Sequence, residues 1–184
     1  MLSYIPNALS LARIALTPVL LWCAWQGQTG CFLGLLVVSL LTDALDGWIA
    51  RKFNLCTPLG ARLDSLGDMC TYLAVPLCAW WLWPDLLRAE WRYVLLTVSA
   101  YVLPLVVALI KFRTLPSYHS YAAKIAAVVM SIAVFIWFTF EMSDLFKCAA
   151  ILQAVVAVEH VLITLSLSQP RSNIKSIWHL RQMI

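Results

Sequence analysis

The sequence is short of charge: only 12% of its 184 residues are Asp, Glu, Lys or Arg, against 62% hydrophobic ones. An average soluble domain is roughly 45–50% apolar and about 25% charged. So few charges could not cover the surface of a water-soluble domain of this size. Low-complexity tracts are also missing, and with such apolar content disorder is excluded. No C-x-x-C spacing occurs among Cys23, Cys31, Cys56, Cys70, Cys78 and Cys148. Most of these lie in apolar runs, so they are expected to be small hydrophobes of a membrane core rather than a disulfide or zinc framework. The net charge of +4 comes from basic residues spread along the chain, which speaks against a nucleic-acid partner. The apolar N-terminal stretch has no basic segment before it and is longer than a signal-peptide core, so it is expected to be a span.

What is present is a series of long apolar runs. A spanning helix needs about 20 mostly apolar residues. Six segments meet this: about Asn7–Trp25, Cys31–Arg51, Pro58–Trp83, Trp91–Phe112, Tyr121–Met142 and Leu145–Ser168. Helix breakers fall between them, at Gln26 to Gly30, Pro84-Asp85, Pro116-Ser117 and Ser143-Asp144. The expected fold is therefore all-α: one membrane domain over residues 1–184, a bundle of six transmembrane helices. From about residue 169 a short cytoplasmic tail with an amphipathic pattern (Ile174, Ile177, Trp178, Leu180) is expected to lie on the membrane surface.

Lys and Arg placement sets the orientation. With both termini inside, the cytoplasmic face receives Arg13, Arg51, Lys52, Arg62, Lys111, Arg113, Lys124, Arg171, Lys175 and Arg181, ten of thirteen. The outer face receives Arg88, Arg92 and Lys147. Trp80, Trp81, Trp83 and Trp91 cluster near that outer face as an aromatic belt.

Against this apolar ground four carboxylates stand out. Asp43 and Asp46 are i,i+3 and Asp64 and Asp68 are i,i+4, so each pair shares a helix face. A short loop makes the two helices antiparallel neighbours, with the pairs facing one another. Four such charges in a low dielectric repel strongly. Arg51 and Arg62 could neutralise part of this, and a hard divalent cation or two would complete it, since oxygen ligands suit magnesium, manganese or calcium. Gly47, Ala50 and Gly60 leave a small-residue slot beside the carboxylates. Arg51 lies one turn beyond Gly47, and its planar fork suits phosphate oxygens. Together these describe a nucleotide-diphosphate site.

The spacing Asp43-x-x-Asp46-Gly47-x-x-Ala50-Arg51-x8-Gly60-x3-Asp64-x3-Asp68 resembles the signature of the CDP-alcohol phosphotransferases at every fixed position. The segment Ile5-Pro6-Asn7-Ala-Leu-Ser10-x-x-Arg13 resembles the start of the phosphatidylglycerophosphate synthases and related cardiolipin synthases. At Tyr101 to Pro104 the chain differs from the former branch, which usually has a basic and an acidic residue there. The resemblance implies transfer of a phosphatidyl group from CDP-diacylglycerol to an alcohol with release of CMP. It further implies Asp43, Asp46 and Asp64 as principal metal ligands and Asp68 as both near the metal and general base. Spacing alone does not separate Asp64 from Asp68 as the base. Gly47, Ala50 and Gly60 would make room for cytidine, Asp46 would lie beside the donor, and Arg51 would hold the diphosphate. Two Mg2+ or Mn2+ ions and a homodimer are implied in the same way. Localisation would be integral to a membrane, the inner (cytoplasmic) membrane if the source is bacterial, with the active site at the cytoplasmic face.

The hinge from Lys111 to Lys124 offers Lys111, Arg113, His119 and Lys124 to a phosphorylated acceptor, and glycerol 3-phosphate is the acceptor expected first. Inositol or its phosphate, phosphatidylglycerol and serine are the alternatives. Glu159-His160, within the sixth span, is read as a satisfied buried network. Two other classes compete: a cation transporter, which would carry polar groups through the bilayer, and a structural subunit, which would have little use for four aspartates.

Overall fold

The computed structural model describes residues 5–53, 55, 57–113 and 121–167. Among these, every regular element is helical. In chain order they are α1 (Ile5–Trp25), α2 (Thr29–Lys52), α3 (Pro58–Leu82), α4 (Pro84–Ala89), α5 (Trp91–Phe112), α6 (Tyr121–Phe140) and α7 (Asp144–Ser166). The six long helices coincide with the six expected segments to within about one turn at each end. The tail beyond residue 167, Pro116-Ser117 and His119 lie outside the described residues.

Five helices (α1, α2, α5, α6 and α7) are long and apolar enough to cross a membrane. At 25 residues α3 has the length, but Asp64, Asp68 and Pro76 dilute its apolar character. The short helix α4 stands where the sequence reading placed only a breaker. Pro84 and Asp85 open it, with Arg88 in its last turn. Proline is preorganised for a first helical position, and an acid at the start and a base at the end complement the helix dipole.

The chain divides into two compact units, Met1–Leu87 and Arg88–Ile184. In the first, α1 packs on both α2 and α3. A tight turn joins α1 to α2, with Gly27 at φ +70°. Its Gly27 N–H donates to the Ala24 carbonyl and its Gln28 N–H to the Cys23 carbonyl. The left-handed backbone there is cheap only for glycine. Aromatic rings gather at this end: Trp25 meets Trp81 edge-on at 5.2 Å, and Phe32 meets Trp83 at 5.9 Å. Trp25 and Trp80 are exposed, as rings of an interfacial belt are. At the other end Thr57 caps α3, its hydroxyl accepting from the Gly60 N–H at 3.0 Å with Pro58 next in line.

In the second unit α7 packs on both α5 and α6. Buried Ala100 and Ala108 of α5 and Ala149, Ala150 and Ala157 of α7 are the small residues that let apolar helices approach closely in lipid. Trp137 is buried and stacks on Phe146 at 4.2 Å. Within α7, Gln153 is buried while Glu159 and His160 are half-buried rather than buried, and a polar cluster gathers on Glu90 at the helix ends. The Ser143 hydroxyl donates to Glu90 at 2.7 Å, and Lys147 pairs with Glu90 at 2.8 Å.

Candidate active site

Because α1 lies against both other helices of its unit, a residue on it can reach both carboxylate pairs. That residue is Arg13. Its guanidinium donates to Asp46 at 3.1 Å, Asp64 at 3.0 Å and Asp68 at 2.9 Å, and it also pairs with Asp43. Asp46, Asp64 and Arg13 lie six, six and eight residues inside their helix ends (52 − 46, 64 − 58, 13 − 5). At 1.5 Å per residue the cluster is therefore about 9–12 Å along the helices.

The Arg13 side chain is only 2% exposed, and Asp46 4%, whereas Asp43, Asp64 and Asp68 are 41%, 32% and 43% exposed. The arginine thus forms the floor, and three carboxylates open outward above it. Asp46 is held from below, accepting from the Ser10 hydroxyl at 2.9 Å as well as from Arg13. Gly67 leaves room for the crossing: a Cβ there would stand 3.1 Å from Arg13 Nε, so the guanidinium would have to give by a few tenths of an ångström. Gly60 lies against α1 in the same way, since its Cβ would stand 2.7 Å from Asn7 Oδ1. Gly67 was not anticipated from the sequence; Ser10 and Arg13 were named there in the N-terminal segment, and Arg13 for orientation, but neither as a site residue.

One guanidinium faces four carboxylates, so with all ionised the formal balance is +1 − 4 = −3. Arg13 Nε is itself buried without a partner, so the network is not closed by its own groups. Asp43, Asp64 and Asp68 each offer one oxygen, all within 4.8 Å of one another. Two oxygens on one magnesium, at about 2.1 Å each, stand at most about 4.2 Å apart. The donor set is hard, anionic and part-exposed, and it fits a divalent cation once the oxygens draw together, since neighbouring ligands of an octahedral ion stand about 3 Å apart.

The sequence pattern of the family described as CDP-alcohol phosphatidyltransferase matches residues 3–165. The chain belongs to that family. It is an integral membrane protein whose relatives include named phosphatidyltransferases. It is 34% identical over 116 residues to the human "Cardiolipin synthase (CMP-forming)", covering 61% of this chain and 37% of that protein. It is 42% identical over 67 residues to the "CDP-diacylglycerol--glycerol-3-phosphate 3-phosphatidyltransferase" of Rickettsia bellii, covering 35% and 37%. It is 39% identical over 70 residues to the "CDP-diacylglycerol--inositol 3-phosphatidyltransferase" of Drosophila melanogaster, covering 36% and 30%. The matches thus span only 30–37% of these relatives' own length. No solved structure matches.

The remaining candidates are scattered. Gly47 is on α2, one residue past Asp46. The side chains of Ala50, Arg51 and Arg62 lie outside the described ones. Lys111 donates to the carbonyls of Thr164 at 3.1 Å and Leu165 at 2.7 Å, so it closes the end of α7, where a cation complements the dipole. Arg113 caps α5 in a left-handed conformation, its N–H donating to the Leu109 carbonyl. Lys124 is exposed in the first turn of α6.

Proposed function

We propose that the chain transfers a phosphatidyl group from CDP-diacylglycerol to an alcohol, releasing CMP, with glycerol 3-phosphate as the acceptor. The convergence of all four motif carboxylates on one point of the first unit supports this reading most strongly. Three part-exposed carboxylates over a buried arginine make an anionic cup suited to a divalent cation bridging to a diphosphate. Magnesium or manganese bound there, as one ion or two, would neutralise charge on the diphosphate and on departing CMP.

The protein's own groups do the rest. Asp68, part-exposed in the cluster, takes the proton of the acceptor hydroxyl as its oxygen attacks the lipid-side phosphorus. The bond from that phosphorus to the CMP oxygen breaks in the same displacement. Asp43 and Asp64, whose oxygens lie with that of Asp68 within 4.8 Å of one another, would hold the cation with Asp46 buried behind them on Arg13 and Ser10, and Arg51 holds the diphosphate beside Gly47, Ala50 and Gly60. Arg13 keeps the carboxylates together, and a cation bound there would share their oxygens with it. Of the acceptor candidates Lys111, Arg113, His119 and Lys124, Lys111 is already engaged by the carbonyls that end α7, which leaves Arg113, His119 and Lys124 as the cationic groups for an acceptor phosphate.

Both units form one membrane domain of six spans, with both termini and the carboxylate cluster at the cytoplasmic face, and two chains form a homodimer. A second reading has support of its own. The match to a CMP-forming cardiolipin synthase covers more of this chain than the match to the glycerol-phosphate enzyme, which favours phosphatidylglycerol as acceptor. The test is CMP release from CDP-diacylglycerol by the purified protein, with glycerol 3-phosphate, phosphatidylglycerol, inositol and serine offered in turn. Fastest release with glycerol 3-phosphate supports the first reading, and with phosphatidylglycerol the second. No CMP with any acceptor would reject the transferase.

A further inference from the structure

The sharp turn between α1 and α2 does more than reverse the chain. It sets Cys23, in the last turn of α1, against Cys31, in the first turn of α2. Their sulfur atoms are 2.8 Å apart, closer than two unbonded sulfurs rest. A disulfide bond is about 2.04 Å long, so closing it asks for a movement of under about 1 Å. The turn is held by hydrogen bonds from Gln26 to Trp22, Gly27 to Ala24 and Gln28 to Cys23, which fixes the two thiols in register. Cys23 is buried and Cys31 is exposed. One thiol is therefore open to an oxidant and the other is sheltered behind it.

Position along the hairpin decides the chemistry available. Cys23 lies ten residues beyond Arg13, and Cys31 lies twelve before Asp43. The thiols are thus about 15–18 Å along the helices from the carboxylate cluster, toward the opposite end of the first unit. With the cluster at the cytoplasmic face, on which this step rests, the thiol pair looks to the outer side, where disulfides persist.

We propose that Cys23 and Cys31 form a disulfide that staples α1 to α2 at the outer face of the membrane. The oxidant is an exchangeable disulfide, of the kind carried by thiol-oxidising proteins. Cys31, as the thiolate, attacks one of its sulfurs to give a mixed disulfide and releases a thiol. Cys23 then attacks the Cys31 sulfur and releases the second thiol. Two S–H bonds are lost and one S–S bond is gained, and the oxidant's disulfide leaves as two thiols carrying the protons and electrons. The staple fixes the hairpin whose two helices carry Arg13, Asp43 and Asp46.

The test counts thiols. Protein in native membranes is denatured without reductant in a mass-tagged maleimide, and a second sample is reduced first. The chain has six cysteines, so the disulfide predicts four tags before reduction and six after. Cys31→Ala should give five tags in both samples. Six tags before reduction would overturn the proposal. So would a Cys31→Ala protein that gains two tags on reduction, because Cys23 would then be paired elsewhere, for instance with Cys78. CMP release is assayed on the same membranes. Activity alongside six tags overturns the staple and leaves the transferase standing, and four tags without activity does the reverse.

Discussion

The two units are built from the same material and use it differently. Each has three long helices, one of them central: α1 packs on α2 and α3, and α7 packs on α5 and α6. The second keeps the Glu90–Lys147 pair and the Lys111 cap at its helix ends, stacks Trp137 on Phe146 beside the α6–α7 turn, and carries buried alanines along α5 and α7, with Gln153, Glu159 and His160 among the polar groups inside α7. The first places a buried arginine and four carboxylates two turns inside its helices. Removing one partner of a buried charge network is costly, while an apolar core of the same size would be as stable or more so. The first unit therefore carries an arrangement that packing alone does not call for; the second has polar groups inside α7 but, among the described residues, no comparable carboxylate cluster.

The comparison is broken most severely by Asp64→Asn. It keeps the size of the side chain and removes one charge and one ligand. Loss of a group acting in the transition state costs about 3–4 kcal/mol, or roughly 10²–10³-fold in rate. CMP release should fall by that much, while the thermal midpoint moves little. Next comes Arg13→Ala. In chelator it leaves four carboxylates without their shared cation, and about 3 kcal/mol of stability should go, the low end for a buried pair because three of the four are part-exposed. Added Mn2+ should recover most of the loss, as read by thermal unfolding in detergent.

The matching cut in the second unit is Trp137→Ala. Its cost should stay below the about 3–5 kcal/mol of a water-soluble core, because lipid is as apolar as the core and only packing is lost. Mn2+ should leave this variant's midpoint unchanged, which separates the two units sharply. The smallest effect belongs to Glu90. Burial works to raise its pKa, but the hydrogen bonds from Lys147 and Ser143 outweigh that and hold it below its usual value. Its folded-state pKa is depressed, so its contribution is present above the unfolded value and is lost as pH falls through the folded one. The difference in midpoint between the native chain and Glu90→Gln should be steady near neutrality and vanish at strongly acidic pH.

Much of this was legible in the sequence. The helix limits followed from apolar runs interrupted by Pro, Gly and Asp, and the carboxylates from spacings that survive in any helix. Arg13 was missed as a member of the site because it is 30 to 55 residues from its partners, and i,i+4 reasoning joins residues of one helix only. A charge several residues inside an apolar run was nevertheless a signal, the same one that marked the aspartates. Gly67 could be understood only once Arg13 was seen to pass it. Helix α4 was hidden because Pro84-Asp85 serves equally to end one helix and to start another. The Cys23–Cys31 pair was hidden because a spacing of eight brings two residues together only across a tight turn.

The central claim is that Arg13 and a divalent cation share one set of carboxylate oxygens. Mn2+ binding to chelator-stripped protein in nanodiscs, followed by electron paramagnetic resonance, tests it directly. Saturable binding is expected in the native chain. Arg13→Ala should bind Mn2+ about tenfold more tightly or better, since losing even one competing charge-assisted hydrogen bond is worth about 1.5–3 kcal/mol and 1.4 kcal/mol is a decade. Asp64→Asn should bind it more weakly by a similar factor. Absence of saturable binding, or an affinity that neither substitution changes, would contradict the account.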